Sequence, residues 1–182
     1  MAVFLRLADG IDAASRLIGL SVRWLAVVLV LVQFAVVVLR YAYGSSFVWM
    51  QESVVYIHAT MFMLAIGYTY LLDAHVRVDF FYGRWSERAR AWTDLIGVLV
   101  AVAPFCALLV WASWTYVARS FLLGEGPLQV GGLPLTPWLK ALIPTMAVLL
   151  ALQSVSVLIR SATVLAGGPG PVFPQRRQAA EG

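Results

Sequence analysis

The sequence predicts an all-α integral membrane protein: four transmembrane helices, an N-terminal interfacial amphipathic helix, and both termini on the cytoplasmic side. Three observations carry that prediction. Of 182 residues, 62% are hydrophobic and 12% charged, with a mean hydropathy of +0.85; soluble domains are roughly 45–50% apolar and about 25% charged. Four nearly uncharged runs are each long enough to cross ~30 Å of hydrocarbon at about 1.5 Å per residue. The ionisable residues gather at the ends of those runs, most densely in Leu71–Arg90, which holds Asp73, His75, Arg77, Asp79, Arg84, Glu87, Arg88 and Arg90. A charge at bilayer depth costs several kcal/mol, so that stretch must lie at a membrane surface.

The elements follow in order. In Ala2–Gly19, Phe4, Leu7, Ile11, Ala14 and Ile18 share one helical face, and Arg6, Asp9, Asp12 and Arg16 share the other. Such a helix is expected in the headgroup plane, apolar side down. The first span is expected over about 20–39, with Arg23 snorkelling at one end and Gln33 as its one strongly polar residue, suited to a helix–helix contact. Tyr41, Tyr43, Phe47 and Trp49 form an aromatic belt around the following loop. The second span is about 48–72, with Glu52 one turn inside and His58 deeper. The third is about 92–117; Pro104 in its middle removes a backbone donor and predicts a kink. The loop 119–136 is rich in glycine and proline, and Thr136-Pro137 reads as an N-cap with proline at the first helical position. The fourth span is about 137–159, with Lys140 near its start, Pro144 one turn in, and Arg160 ending it. Residues 1–166 form a single domain, and 167–182 a polar, glycine- and proline-rich tail expected to be disordered.

Arginine sets the orientation. Arg6, Arg16, Arg23, Arg77, Arg84, Arg88, Arg90, Arg160, Arg176 and Arg177 fall on the side of the termini; Arg40, Arg119 and Lys140 fall on the other. That bias places both termini and Leu71–Arg90 in the cytoplasm and the Gly/Pro loop outside. The first apolar run is too long for a signal h-region and lacks a small-residue cleavage site, so no cleavable signal peptide is expected.

The net charge of +4 comes from scattered helix-end residues, which excludes a nucleic-acid surface as the reading. The lone Cys106 lies in an apolar run and can neither staple the fold nor build a metal cluster. No motif for nucleotide binding, nucleophilic catalysis or metal binding is present, so neither an enzyme nor a cofactor site is expected. Mid-membrane the chain offers Gln33, His58, Cys106 and Gln153, too few polar groups for the substrate site of a self-contained transporter. His58 and His75 lie on or near one span, whereas a bis-histidine haem anchor draws ligands from facing helices. The rival classes are an electron-transfer anchor, which a haem absorption band would reveal, and a free-standing small exporter, which would transport alone.

Two local pairings are expected from spacing. Asp73 and Arg77 stack, with His75 and Asp79 on a neighbouring face, if the second helix continues through them. Arg40 and Glu52 flank a short loop at similar depth and are expected to pair, with each other or jointly with a partner subunit.

Several pieces in sequence resemble one family. They are Arg40-Tyr41, then Trp49 and Glu52, then His75-Val-Arg-Val-Asp79, then Glu125 to Pro144 with Gly131-Gly-Leu-Pro134, Lys140 and Ile143-Pro144. From the first span to Arg160 the chain resembles the DctQ-like small membrane subunit of a tripartite ATP-independent periplasmic (TRAP) transporter, most closely the subgroup labelled for mannitol or chloroaromatic compounds. One departure is Gln51, where many members carry a second acidic residue. The resemblance implies a bacterial inner-membrane scaffold that pairs with a large elevator-type subunit holding the substrate and sodium sites. A periplasmic binding protein would deliver the substrate, an organic acid. It makes Arg40, Tyr41, Trp49, Glu52, His75, Arg77, Asp79, Lys140 and Pro144 the candidate structural and subunit-interface residues, in contact with the lipid bilayer and the large subunit.

Overall fold

The apolar runs fold as helices whose ends are set by local chemistry rather than by hydropathy alone. The computed structural model describes residues 2–73, 85–127, 129–168 and 172–173. Helix α1 (Ala2–Val22) and helix α2 (Trp24–Tyr43) are separated by a turn at Arg23. From Val3 to Tyr43 they form a helical stretch of 41 residues, about 60 Å and twice the hydrocarbon thickness. The 20 residues of α2 alone match that thickness. Helix α3 (Val48–Leu64) and the short α4 (Ile66–Leu71) meet at Ala65 and form one 24-residue candidate span. Helix α5 (Glu87–Gly97) passes through a π-turn, Val98–Val102, into α6 (Ala103–Leu122). Helix α7 (Thr136–Leu165) closes the bundle.

Four helical segments are thus long and apolar enough to cross a membrane, as the sequence predicts, and every regular element among the described residues is helical. The boundaries differ for identifiable reasons. The third segment starts earlier because Ser86 caps α5: its Oγ accepts from the Ala89 N–H at 3.3 Å. It ends later, at Leu122, where Gly124 takes φ 58°. Gly124 N–H then donates to Phe121 O, and Glu125 N–H to Ser120 O, closing the last turn. The expected disturbance at Pro104 takes the form of the π-turn just before it, which opens the helix where the proline ring would crowd the preceding turn. Thr136 is not an N-cap. It is the first residue of α7, and its hydroxyl donates to Gly126 O at 2.7 Å, fastening the loop instead. Nor does Arg160 end the fourth segment; it pairs sideways with α1, so α7 needs no water boundary there and runs on to Leu165. The helix of the second segment stops at Leu71, and Asp73 has φ 55°; the expected stacking of Asp73 on Arg77 and of His75 beside Asp79 lies outside the described residues.

Helix α7 is the hub, packing against α1, α3, α4, α5 and α6, whereas α2 packs mainly on α3 and buries no residue. Small residues let α1 and α4 approach closely: a Cβ on Gly19 would collide with the Tyr68 ring, and Gly67 faces Ser15. On α1 the correction concerns Asp12 alone: of the polar face, Arg6, Asp9 and Arg16 are exposed as expected, but Asp12 turns inward. Ala8, Asp12 and Ser15 are buried, while Phe4 and Leu7 are exposed, because α7 supplies hydrogen-bond partners to Asp12 and Ser15. Of the tail expected to be disordered, Val172 and Phe173 sit in the apolar cluster of Tyr70, Ala91, Val98 and Val157. The Phe173 ring lies edge-on to Tyr70 at 6.3 Å. The rest of the tail beyond residue 168 lies outside the described residues.

Candidate functional site

The Gly/Pro loop between α6 and α7 closes over the start of α3 around one carboxylate. Glu52 sits in the second turn of α3 and is 6% exposed. Its Oε1 accepts from the Gln129 N–H at 3.0 Å and its Oε2 from the Leu133 N–H at 2.7 Å. The loop must carry glycine there for two reasons. Gly131 has φ 80°, a conformation that side chains other than glycine avoid. At Gly132 a Cβ would overlap the Glu52 carboxylate itself. Backbone N–H groups hold a carboxylate by charge-assisted bonds, roughly twice as strong as neutral ones. The loop can therefore give a buried charge its partners without a cation.

A second tie fixes the loop's other strand. Lys140, from the first turns of α7, pairs with Glu125, which also accepts from Ser120 at the end of α6. The Lys140 ammonium lies over the Tyr116 ring, 4.1 Å from its centroid, and Trp138 meets Phe121 edge to face at 5.3 Å. Tyr56 Oη lies 3.5 Å from Thr136 Oγ1, linking α3 to the same corner. The Lys140 and Ser120 hydrogen bonds hold the Glu125 carboxyl below its ordinary value of 4.5. A lowered folded pKa contributes stability that is present above that ordinary value and lost as pH falls through the lowered one. Amide exchange in residues 123–133 is therefore expected to be slower in wild type than in Glu125→Gln at neutral pH. That difference should vanish once the pH falls below the lowered Glu125 value; a difference that persists there would remove Glu125 as the titrating tie.

A third constellation lies toward the other end of α7. Asp12 Oδ1 accepts from Gln153 Nε2 at 2.8 Å and from Ser156 Oγ at 2.6 Å; its Oδ2 accepts from Arg160 Nη2 at 2.7 Å. Ser15 Oγ donates to Gln153 Oε1 at 2.7 Å, and Arg160 also reaches the exposed Asp9 at 2.7 Å. The amide of Gln153 thus bridges two α1 side chains, one through each of its terminal atoms.

These ties sort the candidate residues. Glu52 and Lys140 point into the clasp. Arg40 does not pair with Glu52: it is exposed and donates to Ser46 Oγ at 3.5 Å, to which Gln51 Nε2 also donates at 2.7 Å. Glu52 has no need of it, since the loop backbone supplies its donors. Tyr41 is 82% exposed and Trp49 48% exposed, at the end of the bundle that carries the loop. Pro144 is half-buried inside α7, one turn beyond Lys140. His75, Arg77 and Asp79 lie outside the described residues. Sequence reading missed the Glu125–Lys140 tie, the Asp12 network and the role of Gly132. The available signals were the Gly131-Gly132 pair and Gln153, a polar residue within the apolar fourth run.

One family model matches the chain over residues 11–164, and its description reads Tripartite ATP-independent periplasmic transporters, DctQ component. No curated protein and no solved structure matches the chain.

Proposed function

Since the chain belongs to the DctQ-component family of tripartite ATP-independent periplasmic transporters, a multi-pass small subunit of such a system, we propose that it works as the static membrane scaffold of its transporter. In this reading it docks on the large elevator-type subunit, which carries the substrate and ion sites, and takes no part in binding the cargo. A periplasmic binding protein delivers an organic acid, and sodium drives uptake. The observation that supports the scaffold role is where the polar groups go. Glu52, Glu125, Lys140, Asp12, Gln153 and Arg160 are spent on fastening helices and loop to one another. The open groove of about 760 Å³ between α6 and α7 has walls of Cys106, Trp111, Trp114, Val148 and Leu152 with the hydroxyls of Thr115 and Ser154, and no cationic side chain lines it to hold an organic anion. An elevator needs a fixed element to move against, and cross-tied helices resist the tilting that mobile lipid would otherwise permit.

Proteoliposomes carrying this chain alone are expected to show no uptake with a sodium gradient and loaded binding protein, and to gain it when the large subunit is added. Accumulation by the small chain alone would overturn the scaffold role. The arginine bias further supports a cytoplasmic Ser86 and a periplasmic Gly126. In a chain with Cys106 replaced, an impermeant maleimide applied from the periplasmic side should label a cysteine at 126 and spare one at 86; the opposite pattern would invert the topology.

A further inference from the structure

Helices α2 and α3 form an antiparallel hairpin across the turn 44–47. Gln33 lies ten residues before Tyr43, the last residue of α2, and His58 lies ten residues after Val48, the first of α3. At about 1.5 Å per residue both side chains are ~15 Å from the turn end of the hairpin, half of the ~30 Å hydrocarbon layer. Both are exposed. Neither has a hydrogen-bond partner among the described residues; His58 only stacks on Phe62, with ring centroids 6.4 Å apart.

Lipid tails supply neither donors nor acceptors, so an amide and an imidazole left open at that depth are costly. Three other polar side chains among the described residues avoid that cost. Ser113 and Thr145, at comparable depth on α6 and α7, donate to the carbonyls of their own helices at 2.6 and 2.8 Å. Gln153, though polar and embedded, is fully engaged by Asp12 and Ser15. The buried Ser161 Oγ on α7 and the hydroxyl of Thr115 on α6 also lack partners among the described residues, but Gln33 and His58 are the larger open groups, and both lie on the hairpin that carries α2, the helix that buries no residue of its own.

We infer that the α2–α3 hairpin is the surface that seats the large membrane subunit, through Gln33 and His58 hydrogen-bonding at the bilayer midplane to polar side chains or freed backbone groups of that subunit. This rests on the reading that the chain docks on such a subunit, and adds which face does so and by what chemistry. The large subunit is the occupant because the chain belongs to a tripartite system; a second copy of this chain is an outcome of the test.

The test uses the full chain co-expressed with the large subunit. A photoreactive phenylalanine analogue is placed singly at 33, at 58, and at the exposed Leu152 on α7 as a comparison. Crosslinks to the large subunit from 33 and 58 are expected. In parallel, Gln33→Leu and His58→Leu should each lower co-purification of the large subunit about threefold, and roughly tenfold together, from the usual strength of interhelical hydrogen bonds in membranes. The level of the small chain in the membrane should not fall, since leucine is better tolerated by lipid. Crosslinks from 152 alone would overturn this face while leaving the scaffold reading intact. Crosslinks from 33 and 58 only to lipid or to a second copy, or unchanged co-purification of the double variant, would also overturn it. Failure of the unaltered chain to co-purify with the large subunit would instead remove the reading on which it rests.

Discussion

Replacing Gly132 with alanine is expected to destabilise the protein by about 3 kcal/mol or more. The added Cβ cannot coexist with the Glu52 carboxylate, so either the loop or the side chain must withdraw. Withdrawal breaks the bonds from the Gln129 and Leu133 N–H groups. Hydrogen bonds to a charged group contribute about 1.5–3 kcal/mol each, and a carboxylate stripped of partners while still buried costs more. For a chain of this size that corresponds to a fall in melting temperature of roughly 6–12 °C, measurable by thermal unfolding in detergent. Gly126→Ala is the control: its Cβ would meet nothing within 4 Å, and its melting point should stay close to wild type. Gly131→Ala should fall between them, at about 1–2 kcal/mol, the ordinary penalty of a left-handed residue with a side chain. Equal melting of Gly132→Ala and Gly126→Ala would mean that the carboxylate is not seated as described.

Arg160→Ala is expected to cost about 3–5 kcal/mol, the range for removing one partner of a buried pair. Asp12 is 6% exposed, and without Arg160 its charge would rest only on Gln153 and Ser156. Asp9→Ala should cost under about 1 kcal/mol, since the Asp9 side chain is 66% exposed and solvent already screens it. The informative measurement is a double-mutant cycle on Asp12→Ala and Arg160→Ala. The double variant should lose clearly less than the two single losses added together, because removing both charges leaves none unpaired. Strict additivity would mean that the two side chains act separately.

The four spanning segments were legible because a bilayer leaves the chain few options: long uncharged runs must be helices with their backbone groups satisfied internally. Contacts between segments were not legible in the same way. On α1, hydropathy assigned Asp12 to water with the rest of the polar face, yet the residues that draw it inward, Gln153, Ser156 and Arg160, are more than 130 positions away in sequence. Glu52 was recognised as important from its position, but the expected cation is not its partner. The groups that hold it are backbone N–H groups 77 and 81 residues further on, and a backbone group leaves no mark on composition. The Gly131-Gly132 pair was visible as a motif without its reason, since a glycine needed for close approach looks in sequence like one needed for a turn. The Leu71–Arg90 cluster, from which the surface assignment was argued, falls largely outside the described residues.

The π-turn at Val98–Val102 has a consequence for phase. Before it, α5 buries Ala91 and Asp94, and the π-turn opens on the buried Val98; after it, α6 buries Cys106, Ser113 and Ser120. Eight positions separate Val98 from Cys106, where two ideal turns would use about 7.2. The widened turn absorbs the surplus, so the two halves of the segment are geared to α7 independently. Wound as a regular helix, the same eight positions would advance about 800° instead of two full turns and rotate everything beyond them by roughly 80°. Ser120, about five turns away, would swing off Glu125 although no atom near that tie had changed. The width of this one turn, as much as the composition of the segment, therefore sets how the loop is shut at its far end.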